Sequence, residues 1–248
     1  AVHGVADTGE RDGFNGQPDD WELYRNAYKN TLLWNVGEFF SRVFAQANLN
    51  NALLIYTSDH GDNLGTRGMW GKSTMFEETA GVPLIMAGPG IAPRRVDSPA
   101  MITDIAPTVL DWLEVNPAVS SGKPMTGRSL LPVLSGQAES AYGPDEARAV
   151  EVSGNSALYL GDYKITRSVP PVGDNQWRLY NLARDPGETT DLSASEPAVK
   201  ARLLAEYDAY AKRVGVLPMP EGYDSMAQVA RNIGARLLSN YPWLYVVL

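Results

Sequence analysis

Cysteine is missing altogether, and histidine occurs twice in 248 residues. The first absence excludes disulfides, thiolate metal sites and a cysteine nucleophile. It leaves the compartment open (cytoplasmic, periplasmic or secreted), because a cysteine-free chain suits reducing and oxidising surroundings alike. The second absence confines imidazole chemistry to His3 and His60. Basic residues are outnumbered, 21 against 29 acidic, for a net charge of −8, and the densest basic pair is Arg94-Arg95. Nucleic-acid phosphates are gripped by clustered Lys and Arg, so no nucleic-acid partner is expected. An anionic substrate would have to meet positive charge locally, at a metal ion or at a few placed cations. Long apolar runs are lacking too. The final segment, 233–248, is apolar but holds Arg236 and Asn240 and is too short to span a bilayer, so no membrane span is expected. The chain opens Ala1-Val2-His3-Gly4 with no initiator Met and no basic-then-apolar leader, and reads as starting after a cleavage or inside a longer protein.

What is present suits a soluble globular protein: 44% hydrophobic and 20% charged residues. After a loop rich in Gly, Asp and Asn, Pro18-Asp19-Asp20 offers helix-starting chemistry. Trp21, Tyr24, Tyr28, Leu32, Val36, Phe39, Phe40 and Val43 recur at three- and four-residue spacing, which predicts one helix to about Ala47. The short apolar runs 52–57 and 82–87, each followed by turn residues, predict central parallel strands buried on both faces. A helix is expected over 103–115. From about residue 148, short runs with partial alternation predict a small antiparallel sheet, followed by an amphipathic helix over 196–214 and a helical tail over about 224–239. The expected architecture is α/β. A partial, mostly parallel sheet with flanking helices would occupy 1–147, an antiparallel sheet-and-helix subdomain 148–220, and a helical, aromatic tail 221–248. That tail, Tyr241-Pro242-Trp243-Leu244-Tyr245, could pack on a second copy and make a homo-oligomer.

Chemistry concentrates at Ser58-Asp59-His60-Gly61-Asp62, at the carboxyl end of the first expected strand, where open α/β sheets place their ligands. A carboxylate and a neutral imidazole on adjacent residues can turn toward one divalent cation if the chain leaves the strand sharply. The donor pair suits Ca, Mn or Mg, with Zn also compatible. The plainer alternative is that Asp59 caps a turn and His60 is an ordinary loop histidine. Asp62 could orient a ligand or simply serve the turn, and Trp70 reads as packing.

Several ordered segments carry a resemblance. They are Thr57-Ser58-Asp59-His60-Gly61-Asp62-Asn63-Leu64-Gly65, Gly68-Met69-Trp70-Gly71-Lys72, Phe76-Glu77-Glu78 and Val82-Pro83-Leu84-Ile85. Asp104-Ile105-Ala106-Pro107-Thr108, Gly127-Arg128-Ser129-Leu130 and Leu179-Tyr180-Asn181-Leu182 with Asp185-Pro186-Gly187-Glu188 follow. Over about residues 20–215 the chain resembles the C-terminal half of sulfatases of the alkaline phosphatase superfamily, in the choline-sulfatase and phosphonate-monoester-hydrolase branch. The resemblance implies an alkaline-phosphatase-like fold and hydrolysis of a small anionic sulfate, phosphate or phosphonate ester. It implies Asp59 and His60 as metal ligands and Lys72 as the cation contacting the transferring group. His3 stands in the order where some relatives carry a histidine that contacts the leaving group, although Gly4-Val5-Ala6 matches no family pattern. A histidine near the terminus with no role is the alternative.

The family's Cys/Ser-x-Pro-Ser-Arg nucleophile segment and its N-terminal aspartates are not found. The chain is therefore expected to be inactive alone, with the missing N-terminal half as its partner. Two other readings stay open. One is a phosphoethanolamine- or phosphoglycerol-transferase-like domain, and the other is a noncatalytic partner that keeps the fold without turnover.

Overall fold

The computed structural model describes residues 18–46, 49–72, 74–116, 125–170, 172–220 and 222–240. The chain forms two compact units: Ala1–Lys72 with Gly81–Gly143, and Ser73–Ala80 with Pro144–Leu248. The second unit thus takes eight residues from the middle of the first, a division that no composition shift marks.

In the first unit, α1 (Pro18–Trp34) passes through a π-helical turn, Asn35–Phe39, into α2 (Phe40–Gln46). The long apolar stripe is therefore one continuous helical segment with a local underwinding. Its N-terminal part is packed: Trp21 stacks on Trp70 with ring centroids 3.6 Å apart, and Tyr24 meets the same ring edge-on. Its later part lies open, with Leu32, Leu33, Val36, Phe39 and Val43 exposed.

β1 (Leu54–Thr57) pairs with β2 (Leu84–Ala87), Leu54 opposite Ala87 and Thr57 opposite Leu84. The α/β expectation holds, but these two strands run antiparallel rather than parallel. A parallel return needs a crossover, usually a full helix. Between them, among the described residues, lie only a 3-10 turn at Thr66–Gly68 and the four-residue α3 (Glu77–Ala80). Nor are they buried on both faces. β1 is half-buried, and Ile85 of β2 is exposed.

After β2, α4 (Ile105–Trp112) and α5 (Leu131–Leu134) are tied by two buried side chains. The Asp104 carboxylate accepts from the N–H of Met101 (2.7 Å), the N–H of Arg128 (2.9 Å) and the Tyr142 hydroxyl (2.6 Å). Thr108 accepts from the Leu130 N–H at 2.8 Å and donates to the Asp104 carbonyl at 2.6 Å. Gly127 lies so close to this junction that a Cβ would stand 2.0 Å from the Thr103 carbonyl oxygen.

The second unit is a meander, β3 (Arg148–Val152), β4 (Asn155–Leu160), β5 (Tyr163–Arg167) and β6 (Arg178–Asn181), in that order and antiparallel throughout. α6 (Pro197–Val214) covers one face, where Leu203 and Tyr207 join Leu158, Leu160, Ile165 and Leu179 in the core. The segment 74–80 lies against the other. That double cover explains why alternation in these strands is only partial. α7 (Ser225–Asn240) follows. No helix among the described residues is long and apolar enough to cross a membrane.

A buried ion cluster holds the second face. Lys164, fully buried, lies 2.7 Å from Glu77 Oε1 and 2.9 Å from Glu188 Oε1. The Tyr159 hydroxyl donates to Glu77 Oε1 at 2.7 Å, and Glu188 Oε2 accepts the Glu77 N–H at 2.7 Å, capping α3. Burial pushes the Glu188 carboxyl above its ordinary value of 4.5, against the pull of the Lys164 ammonium. Burial, and next the Glu77 carboxylate, also pushes the Tyr159 phenol up, so it stays a neutral donor.

Two substitutions follow from these contacts. Gly127→Ala should cost on the order of 1–3 kcal/mol in urea unfolding, because its methyl has to displace backbone rather than a flexible side chain. Lys164→Met should cost about 3–5 kcal/mol near neutral pH, since it strands buried carboxylates without a counter-charge. In that variant the folded-state pKa of Glu188 sits further above its unfolded value. The native state then keeps a proton the unfolded chain has released, and stability falls as pH rises above 4.5. Unfolding curves at several pH values check this; a loss independent of pH would count against the cluster.

Candidate functional site

The chain leaves β1 through Ser58, whose hydroxyl donates to the His60 carbonyl at 2.7 Å and bends the backbone back on itself. That turn brings adjacent side chains together. Asp59 Oδ2 and His60 Nε2 are 3.7 Å apart, with side chains 85% and 39% exposed. Two donor atoms at about 2.2 Å from one cation stand roughly 3–3.6 Å apart, so a small movement would let both bind a single ion. His60 Nδ1 lies 2.7 Å from the Gly61 carbonyl oxygen. A carbonyl can only accept, so Nδ1 is the donor here, and in the neutral ring the Nε2 lone pair lies on the side facing Asp59. The two side chains thus stand side by side at the end of β1. Among the described residues no cluster of three or more His, Cys, Asp or Glu could hold a metal. Two donors fit a cation but do not complete its shell.

Asp62 and Asn63 do not join that pair; they close the loop that follows. Asp62 Oδ1 accepts from the N–H of Leu64 (2.9 Å) and of Gly71 (3.2 Å), and Oδ2 accepts from the Tyr24 hydroxyl (3.3 Å). Asn63 donates twice to the Gly71 carbonyl, from its backbone N–H and from Nδ2, each at 2.9 Å. Arg25 Nε donates to the Leu64 carbonyl at 2.9 Å. Trp70, stacked on Trp21, is packing as the sequence suggested. Lys72 emerges directly after this closed loop with its side chain exposed. Sequence reasoning gave Asn63 no role. Its only signal was a polar amide that turns out to be 1% exposed. His3 lies outside the described residues.

A family model of the sulfatases matches residues 6–115, and one described as N-sulphoglucosamine sulphohydrolase, C-terminal, matches residues 65–208. The chain belongs to the sulfatase family. This sulfatase chain is 33% identical over 163 residues to a choline-sulfatase of Rhizobium meliloti, covering 64% of this chain and 28% of that one. It is 28% identical over 198 residues to arylsulfatase K of Danio rerio, covering 72% of this chain and 36% of that one. Among solved structures, a phosphonate monoester hydrolase from Silicibacter pomeroyi superposes with a TM-score of 0.66 at 22% identity, over 83% of this chain and 44% of that one. That likeness shows the shared alkaline-phosphatase-like fold. The sulfatase chain therefore spans about a third of the length of these curated relatives.

The tautomer of His60 is directly observable. In nitrogen–proton spectra of the neutral ring, the proton should sit on Nδ1 and Nε2 should resonate as an unprotonated nitrogen. A proton on Nε2 would remove the donor atom that faces Asp59.

Proposed function

We propose that this chain is part of a metal-dependent hydrolase of sulfate esters, or of phosphate or phosphonate esters. It would supply Asp59 and His60 to one divalent cation and Lys72 to the transferring group of a small anionic substrate. The observation that carries the reading is the pair of donor atoms 3.7 Å apart at a strand end, with the other imidazole nitrogen tied to a carbonyl.

When bound, the cation would polarise the ester's nonbridging oxygens and assist nucleophile activation. Asp59 offers a hard anionic oxygen and His60 a neutral nitrogen, which suits Ca, Mn or Mg and is compatible with Zn. Such ions take about six ligands, so about four must come from the substrate, water or other parts of the enzyme. Lys72 places a compact ammonium where negative charge accumulates on the nonbridging oxygens, at a position where a net charge of −8 would otherwise repel the substrate. His3, if it stands near the leaving group, would donate a proton there. The nucleophile is assigned to sequence beyond these residues. Turnover is accordingly expected of the full-length enzyme and not of this chain alone.

A surface suited to the rest of the enzyme supports the same reading. Leu33 and Ile85 are 69% and 56% exposed, and an open cleft of about 730 Å³ beside β2 is lined by Leu84, Met86, Ile91, Ile105, Leu130 and Val133 among others. Large apolar side chains left open in this way suit the packing of further protein.

The full-length protein carrying this chain tests the proposal with 4-nitrophenyl sulfate and 4-nitrophenyl phosphate as substrates. Lys72→Met should lower kcat/KM by about 100–1,000-fold. Asp59→Asn, or chelation, should abolish turnover, and adding Mn or Ca back to the chelated wild type should restore it. Turnover that survives both chelation and Asp59→Asn would overturn the metal assignment. A folded, metal-loaded protein inert to both esters would favour the noncatalytic reading.

A further inference from the structure

We infer that Asn63, acting with Asp62, is a positioning residue for Lys72: by holding both backbone groups of Gly71 it sets where the next residue's ammonium stands relative to the Asp59–His60 strand end. The inference rests on the reading of Lys72 as the anion-binding cation.

Lys72 has an exposed side chain, so packing does little to place it. A lysine stem is flexible, and the direction in which the backbone leaves the preceding residue decides the volume its ammonium can search. That preceding residue is unusually constrained. The Gly71 N–H is held by Asp62 Oδ1 at 3.2 Å, and its carbonyl takes two hydrogen bonds from Asn63 at 2.9 Å. Gly71 also has φ +68°, a conformation that favours glycine, while a Cβ there would meet nothing within 4 Å. Glycine is required by the backbone angle and not by space.

The ties join the two ends of the site. Asp62 and Asn63 are two and three residues past His60, on the same stretch that leaves β1, and Gly71 immediately precedes Lys72. The loop between them is closed at its base, so the cation pair and the ammonium ride on one piece of backbone. Asn63 is 1% exposed, which a polar loop residue with no internal task would not be. A displacement of about 1 Å at a charge-stabilising group can cost roughly 100-fold in rate, which makes such a tie worth having.

A double-mutant cycle in the full-length, metal-loaded protein decides the matter. It reads kcat/KM for 4-nitrophenyl sulfate and, independently of turnover, the calorimetric Kd for inorganic sulfate. Asn63→Ala should lower kcat/KM about tenfold and weaken sulfate binding several-fold. In a Lys72→Met background the same change should cost less than about twofold in either quantity. Should Asn63→Ala fail to fold, Gly71→Ala carries the same cycle, since it strains only the backbone angle. The full loss persisting without Lys72, or both alanine variants leaving both quantities unchanged, overturns the positioning role while leaving Lys72 as the anion contact. Should Lys72→Met itself alter neither quantity, the underlying assignment fails, and the positioning role with it.

Discussion

Wherever a chain departs from helix or strand, its backbone N–H groups lose their regular partners and must find others. In this molecule carboxylates meet that demand. Asp62 takes the N–H groups of Leu64 and Gly71, Asp104 those of Met101 and Arg128, and Asp185 those of Thr189 and Thr190. Asp191 takes Leu179 and Ser193, and Glu188 takes Glu77. Each is an acceptor-only group with room for several donors, and hydrogen bonds to an ionised acceptor are the stronger kind. The acidity of the chain is thus partly structural. It fastens irregular segments to the elements beside them instead of decorating a solvated face.

This constraint separates the family's segments by what they do. The Asp104–Thr108 and Gly127–Leu130 segments are each other's partners, joined through one carboxylate, one hydroxyl and a close backbone approach. The Phe76–Glu78 and Asp185–Glu188 segments meet across Lys164. Both pairings bury the carboxylate at their centre, Asp104 in one and Glu188 in the other. The 57–72 stretch differs. It has an exposed carboxylate and imidazole at one end, an exposed lysine at the other, and a tied loop between. Its charged ends stay in contact with solvent.

Much of the fold was legible because it follows from periodicity. The three- and four-residue recurrence from Trp21 to Val43 is one helical segment, and the alternating runs after residue 148 are the four-stranded meander. Lys164 was not legible. In the run Tyr163-Lys164-Ile165 a lysine reads as the polar half of an alternation, facing water. Only its partners, 87 positions before it and 24 after it in sequence, make burial tolerable. The direction of β2 was hidden for a related reason. An apolar run reads the same whichever way it runs, and the length of helix available for a crossover decides the matter.

By itself the sequence determined the elements, the family and the presence of Asp59, His60 and Lys72 in one short stretch, because composition, spacing and motif are local properties of a chain. Tertiary structure alone decided that Asp59 and His60 turn their donor atoms toward each other, that Nδ1 holds the ring proton, and that Gly71 is gripped from both sides. It also decided which charges are buried. Those outcomes depend on side-chain rotamers and on hydrogen bonds between residues distant in sequence, and no pattern along a one-dimensional string encodes either.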